Sequence, residues 1–152
     1  MRIYLDNAAT TPLSEEVIEA MLPYMRSHYG NPSSIHAEGR QSRAAIEEAR
    51  KTVANYVGAS IGEVFFPSGG TEANNMALKC AVRDLGVGRI ISSKMEHHCV
   101  LHSVEALAKA GVQVDYVNID NYGHVDYDHL EALLKQDAPK TLVSLMHANN
   151  EV

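Results

Sequence analysis

The stretch Arg89-Ile90-Ile91-Ser92-Ser93-Lys94-Met95-Glu96-His97-His98-Cys99-Val100-Leu101-His102 changes its periodicity part-way along, and that change decides the fold. Arg89–Ser92 reads as a short strand, and Lys94–His98 after it is a loop. From Val100 onwards, Val100, Leu101, Val104, Leu107 and Ala108 recur at the spacing of one helical face, until Gly111 stops the helix. Downstream the same alternation repeats. Val112–Ile119 reads as a strand, Asp120–Gly123 as a turn, and Asp126 as the cap of a short helix carrying Leu130, Leu133 and Leu134. Thr141–Met146 is a further strand. Upstream, Val64–Pro67 reads as a strand that enters a Gly-rich turn and then a helix reaching about Arg83. Strands alternating with helices of this length imply crossover units, so the fold class is α/β with a mainly parallel sheet.

The first third follows the same logic. Met1-Arg2-Ile3-Tyr4-Leu5 reads as a strand centred on Ile3–Leu5, followed by a helix capped by Ser14. Glu15 and Glu16 suit the positive first turn of that helix, and Val17, Ile18, Met21, Leu22 and Met25 form its apolar stripe. Pro23 should bend this helix or end it early. A longer helix is expected over Ala37–Val57, with Ala45, Ile46, Ala49, Val53, Tyr56 and Val57 on one face. Arg43, Glu47 and Lys51 form an i, i+4 ladder on its other side, and Gly58 ends it. The final apolar strand has no covering helix after it, whereas a parallel sheet is normally covered on both faces. The expected organisation is therefore an N-terminal segment plus an incomplete large domain over residues 1–152, with a C-terminal remainder absent.

Composition narrows the function classes. A net charge of −6, with the thirteen Lys and Arg scattered, argues against a general nucleic-acid binder, which needs a basic face. No apolar run approaches the roughly 20 residues of a membrane span. With a strand at the very start, no leader peptide is expected. Two cysteines without a paired motif fit a reducing compartment, and together these features predict a cytoplasmic protein.

Three polar motifs sit at successive expected strand ends. Phe66-Pro67-Ser68-Gly69-Gly70-Thr71-Glu72-Ala73-Asn74-Asn75 opens a helix, where free N–H groups and the Ser68 and Thr71 hydroxyls suit a phosphate dianion. A plain glycine turn with a Ser or Thr cap accounts for it equally well. The nucleotide P-loop and the GxGxxG pattern are both absent. Lys94-Met95-Glu96-His97-His98-Cys99, with His102 behind it, belongs to the carboxyl edge where α/β proteins bind ligands. A histidine there can stack on a flat ring or move protons near neutral pH. A metal site from His97, His98, Cys99 and His102 is a rival, as is a polar loop with a capping histidine. Met146-His147-Ala148-Asn149-Asn150-Glu151 is the third motif; its Asn side chains suit a phenolic oxygen or a carboxylate, or merely turn geometry.

Five motifs in order then carry a resemblance. They are Tyr4-Leu5-Asp6-Asn7-Ala8-Ala9-Thr10-Thr11-Pro12, Gly30-Asn31-Pro32-Ser33-Ser34-Ile35-His36, Ser68–Asn75, Glu96-His97 and Met146–Glu151. Together, from Tyr4 to Val152, the chain resembles the N-terminal portion of cysteine desulfurases, class V, fold-type I enzymes that use pyridoxal 5′-phosphate (PLP). The resemblance implies that Gly70 and Thr71 hold the cofactor phosphate, largely through the backbone; the family more often has Ala at the Gly70 position. It further implies that His97 stacks on the pyridine ring and assists proton transfer, that Asn150 bonds the phenolic oxygen, and that Asn7–Thr10 lies beside the substrate. The family converts L-cysteine to L-alanine and an enzyme persulfide for iron–sulfur cluster or tRNA thiolation pathways, as homodimers that pass sulfur to a scaffold or acceptor protein.

Four parts of that chemistry are expected beyond Val152: the cofactor-binding lysine, the aspartate that pairs with the pyridinium nitrogen, a glutamine near the ring oxygen and the persulfide-forming cysteine. None of Lys51, Lys79, Lys94, Lys109, Lys135 and Lys140 lies in the family's Ser-His-Lys context. Cys99, which follows two histidines, reads as packing at a helix start. The chain alone is therefore expected to be inactive. A selenocysteine lyase-type relative, or a non-catalytic truncated relative acting as an interaction partner, are the alternatives.

Overall fold

In the computed structural model, residues 3–151 are described, and they form two compact units, 1–66 and 67–152. The second unit holds a three-stranded parallel sheet. Its strands are β1 (Arg89–Ser92), β2 (Gln113–Tyr116) and β3 (Thr141–Val143), in the spatial order β2-β1-β3. The β1–β2 register runs from Arg89 opposite Gln113 to Ser92 opposite Tyr116, and β3 pairs on the other side from Arg89–Thr141 to Ile91–Val143. Every residue of β1 is buried, as its central place requires.

Successive strand residues face opposite ways, so Ile90 and Ile91 seed two cores. Ile90 packs with Leu78 and Ala81 of α3 (Gly70–Leu85) and with Val100 and Val104 of α4 (His98–Lys109). Ile91 packs with Val117 and with Leu133 of α5 (Tyr127–Leu134). Both isoleucines are fully buried. Such burial contributes roughly 1.5–3 kcal/mol per side chain. The Asp126 cap is made as expected, its Oδ1 accepting the His129 N–H at 2.9 Å.

Arg89 is the charged residue of this buried strand. Its side chain is 1% exposed, yet each of its three nitrogens donates to a partner. Nε donates to Asp115 Oδ2 at 2.6 Å, one terminal nitrogen to the Leu133 carbonyl at 2.9 Å, and the other to Gln136 Oε1 at 3.0 Å.

The first unit contains α1 (Glu15–Arg26), α2 (Ala37–Val57) and a 3₁₀ turn at Ile61–Glu63. Helix α1 begins after Ser14 as expected, but no side-chain cap bond forms there, and the helix continues through Pro23 to Arg26. Helix α2 has the expected limits and ends at Gly58, whose φ is 69°. The expected Arg43–Glu47–Lys51 ladder is replaced by an Arg50–Glu47 pair at 3.4 Å. Two glycines explain the Gly30–His36 motif locally. A Cβ on Gly39 would lie 2.5 Å from the Ser34 carbonyl oxygen and 2.6 Å from that of Asn31; one on Gly30 would lie 2.4 Å from the Glu38 carbonyl oxygen. The loop therefore lies flush on the first turn of α2. We expect Gly39→Ala to destabilise the first unit by about 1–3 kcal/mol, since backbone must move to admit the methyl. Urea unfolding checks this, and an unchanged midpoint would contradict it.

Two expected strands do not form. Ile3–Leu5 has no strand partner among the described residues and is exposed; Met1 and Arg2 lie outside the described residues. At Val64–Pro67 the backbone bonding is diverted. The Val64 N–H donates to Ile61 O, and the Val64 carbonyl accepts from the Arg50 guanidinium, which also sits 5.0 Å over the Phe66 ring. β1 has its expected limits, whereas β2 and β3 are shorter than the runs Val112–Ile119 and Thr141–Met146. Beyond β2 and β3, single bonds from Val117 N–H to Ser92 O and from Ser144 N–H to Ile91 O extend the pairing before the loops diverge.

Candidate functional site

The carboxyl ends of β1 and β3 are neighbours, so the loops that follow them, Ser93–His97 and Ser144–Asn150, share one edge of the sheet. His97 is the N-cap of α4. Its Nδ1 accepts the Cys99 N–H at 3.1 Å and lies 3.0 Å from Cys99 Sγ. A neutral ring accepting at Nδ1 carries its proton on Nε2. That nitrogen lies 3.9 Å from Glu151 Oε1 on the third motif. The His97 side chain is part-exposed.

The phosphate turn reaches the same neighbourhood through Cys99. Asn74 Nδ2 of α3 donates to Cys99 Sγ at 3.2 Å. Thr71, Asn75 and Lys79 of α3 line a cleft of about 180 Å³ with Cys99, His102 and Ser103 of α4. Cys99 is thus more than packing at a helix start: its thiol lies between Asn74 and His97. At the start of α3, Gly69 occupies the N-cap position and no side chain caps the helix. The first helical amide to be paired is that of Ala73, to Gly69 O at 3.1 Å. Among the described residues the N–H groups of Gly70, Thr71 and Glu72 have no partner, and a Cβ placed on Gly70 would meet nothing within 4 Å. Open, converging donors at a helix N-terminus fit a phosphate dianion. The Ser68 N–H is taken by Glu72 Oε2 at 2.7 Å, a bond that holds the Glu72 carboxyl below its ordinary pKa. The Ser68 amide is therefore engaged, and those of Gly70, Thr71 and Glu72 are free.

Glu96 had no role in the sequence reading beyond its place in the motif. It is buried, and burial pushes its carboxyl pKa upwards, with a bond from the Met146 N–H pulling partly back. The folded state thus holds this proton more tightly than the unfolded chain does. Its contribution to stability is most favourable at acid pH and is lost as pH rises through the folded value. The uncharged Glu96→Gln should gain on the wild type as pH climbs, which urea midpoints at about pH 4 and about pH 8 would read. A Glu96→Gln that loses ground to the wild type between the two pH values would contradict it.

Asn150 is exposed at the end of the third motif, one residue before Glu151. Asn7–Thr10 forms an exposed turn in the first unit, in which the Ala9 and Thr10 amides donate to Asp6 O and the Tyr4 hydroxyl meets Thr10 Oγ1. Among the described residues no three His, Cys, Asp or Glu side chains gather as metal ligands; His98 and His102 stack at 5.8 Å, while His97 turns to Cys99.

With sheet edge, helix start and histidine in place, the class is defined: residues 3–152 match the family Aminotransferase class-V, and the chain belongs to that family. Among its relatives is a protein named cysteine desulfurase IscS from Dictyoglomus turgidum. It is 50% identical over 152 residues, which is 99% of this chain and 38% of that protein. The human protein named cysteine desulfurase is 44% identical, covering 99% of this chain and 33% of its own length. Among solved structures, a NifS-like protein superposes with a TM-score of 0.87 at 40% identity, covering 100% of this chain and 42% of that one. A structure described as SspA in complex with cysteine superposes with a TM-score of 0.82 at 34% identity, over 98% of this chain and 43% of its own. The chain spans about two-fifths of the length of the relatives it matches most extensively. No helix of the described residues is long and apolar enough to cross a membrane.

Proposed function

We propose that this chain supplies the phosphate- and ring-holding half of a PLP-dependent cysteine desulfurase site. The observation that carries the reading is the link between the open first turn of α3 and His97, made through Asn74 and Cys99. In this reading the Gly70 and Thr71 N–H groups, with the Thr71 hydroxyl, hold the phosphate. His97 lies against the ring and presents its Nε2 proton, and Asn150 donates to the phenolic oxygen. The bound cofactor supplies an electron sink for the substrate's carbanion. This chain's residues bind and orient it, and His97 can hold or pass a proton at Nε2.

The substrate is then L-cysteine, with its sulfur passed to a scaffold or acceptor protein. Cytoplasmic location and homodimer formation complete the reading and rest on the family resemblance. Apolar side chains exposed on α1 and α2, Val17, Met25, Val53 and Val57 among them, support function in contact with further polypeptide. Because none of the six lysines has the Ser-His-Lys context, the 152-residue chain by itself should produce alanine and sulfide from cysteine no faster than PLP alone.

Titration of the purified chain with PLP, followed through the His97 ring resonances, tests the binding half. A saturable shift that inorganic phosphate competes away is expected. An unmoved His97, or turnover above the PLP-only control, would overturn the corresponding half of the proposal.

A further inference from the structure

Glu96 is 7% exposed, and its Oε1 accepts the N–H of Met146 from the loop that follows β3. One residue before it, the Met95 carbonyl accepts from Asn149 Nδ2 at 2.8 Å. Two side chains therefore cross between the loops in opposite directions, Glu96 to the backbone of the β3 loop and Asn149 to the backbone of the β1 loop. Asn149 is itself braced, its Oδ1 accepting the Glu151 N–H at 2.7 Å. The strand pairing has ended before this point, its last bond being Ser144 N–H to Ile91 O at 2.9 Å. Beyond that bond, these two crossings join the loops. An aliphatic side chain at position 96 would be buried without the dehydration a carboxylate suffers. What it could not do is accept the Met146 amide, which would then be left without its partner.

His97 directly follows Glu96, and Asn150 directly follows Asn149. We infer that Glu96 and Asn149 form a reciprocal latch that sets the spacing of His97 and Asn150, which makes both of them positioning residues for the ring-binding side of the site. This rests on the cofactor reading above for its function, though the latch is a property of the fold.

The test uses the 152-residue chain, with amide exchange at Met146 and nitrogen-15 spectra of the histidine rings as readouts. Glu96→Ala should speed Met146 exchange about tenfold, the loss expected of one hydrogen bond, and shift the His97 ring signals. Asn149→Ala should shift His97 likewise. The His129 ring, whose Nδ1 accepts the Asn118 N–H at 2.9 Å elsewhere in the unit, should stay in place in both variants. Glu96→Gln keeps an acceptor oxygen and should restore both Met146 protection and the His97 signals. His97 signals that coincide with the wild type in the two alanine variants would overturn the latch, as would a Glu96→Gln that behaves like Glu96→Ala. If Glu96→Ala loses the His129 signal through unfolding, Asn149→Ala and Glu96→Gln decide the matter by the same criteria. Adding PLP to the wild type is a separate arm. A His97 that responds to the latch variants but not to PLP leaves the latch standing and removes the cofactor reading.

Discussion

Asp115→Ala is expected to destabilise the second unit by about 3–5 kcal/mol, more than Arg89→Met, although Arg89 is the more deeply buried partner. The asymmetry follows from which charge is left behind. Arg89 is 1% exposed, and Asp115 supplies its one anionic partner among the described residues, at 2.6 Å. Without Asp115 the guanidinium remains in the interior with only the neutral Leu133 carbonyl and Gln136 to accept from it. Without Arg89, the Asp115 side chain, 30% exposed, can turn to water and still accept from Gln113 Nε2 at 3.0 Å. Methionine fills most of the vacated volume, leaving chiefly the Leu133 carbonyl and the Gln136 amide to find new partners. Urea unfolding of the two variants and of the double variant Arg89→Met/Asp115→Ala reads the ordering. The double variant should recover much of the loss of Asp115→Ala, because it removes the stranded charge. If Arg89→Met proves the costlier single change, packing and not charge governs the centre of the sheet.

That ion pair also shows where sequence reasoning stops. Arg89 opens the four-residue strand β1, and nothing in its neighbours says that the guanidinium turns inward, because its partners are 26, 44 and 47 residues away. What was legible is what local chemistry fixes. The limits of α2, the Asp126 cap and the helical stripe from Val100 depend on residues within a turn or two of one another. Strands are different, since an apolar run becomes one only where another backbone pairs with it. Val64–Phe66 has the composition, but Arg50 takes its carbonyl and covers its aromatic ring. At the site, the three motifs were visible as polar breaks after apolar runs, and the structure brings the loops after β1 and β3 side by side. The tasks of Asn74 and Glu96 were not visible. Each acts on a group far along the chain, Asn74 on Cys99 and Glu96 on the Met146 amide.

Gly70→Pro should weaken binding of PLP about tenfold or more while leaving the fold intact, whereas Gly70→Ala should leave both unchanged. Gly70 is the first residue of α3, a position where proline is well tolerated because its amide has no intrahelical acceptor. Gly69 before it is extended, with φ 169° and ψ −178°, outside the α region that a following proline disfavours. A Cβ at position 70 meets nothing within 4 Å, so alanine is not expected to strain the turn. The one group proline removes is the N–H that the proposed site aims at the phosphate, and a hydrogen bond to a charged group contributes about 1.5–3 kcal/mol. Alanine keeps that N–H. The pair of variants thus separates the backbone from the side chain at one residue. Binding would be followed by titration with PLP, and with inorganic phosphate to isolate the anion contact; thermal unfolding without ligand checks the fold. Equal affinity in Gly70→Pro and wild type, at unchanged stability, would mean that the phosphate does not sit on the first turn of α3, and the cofactor reading would lose its anchor. A loss shared by Gly70→Ala would mean instead that the turn must stay free of any side chain, which would move the contact from the amide to the space above Gly70.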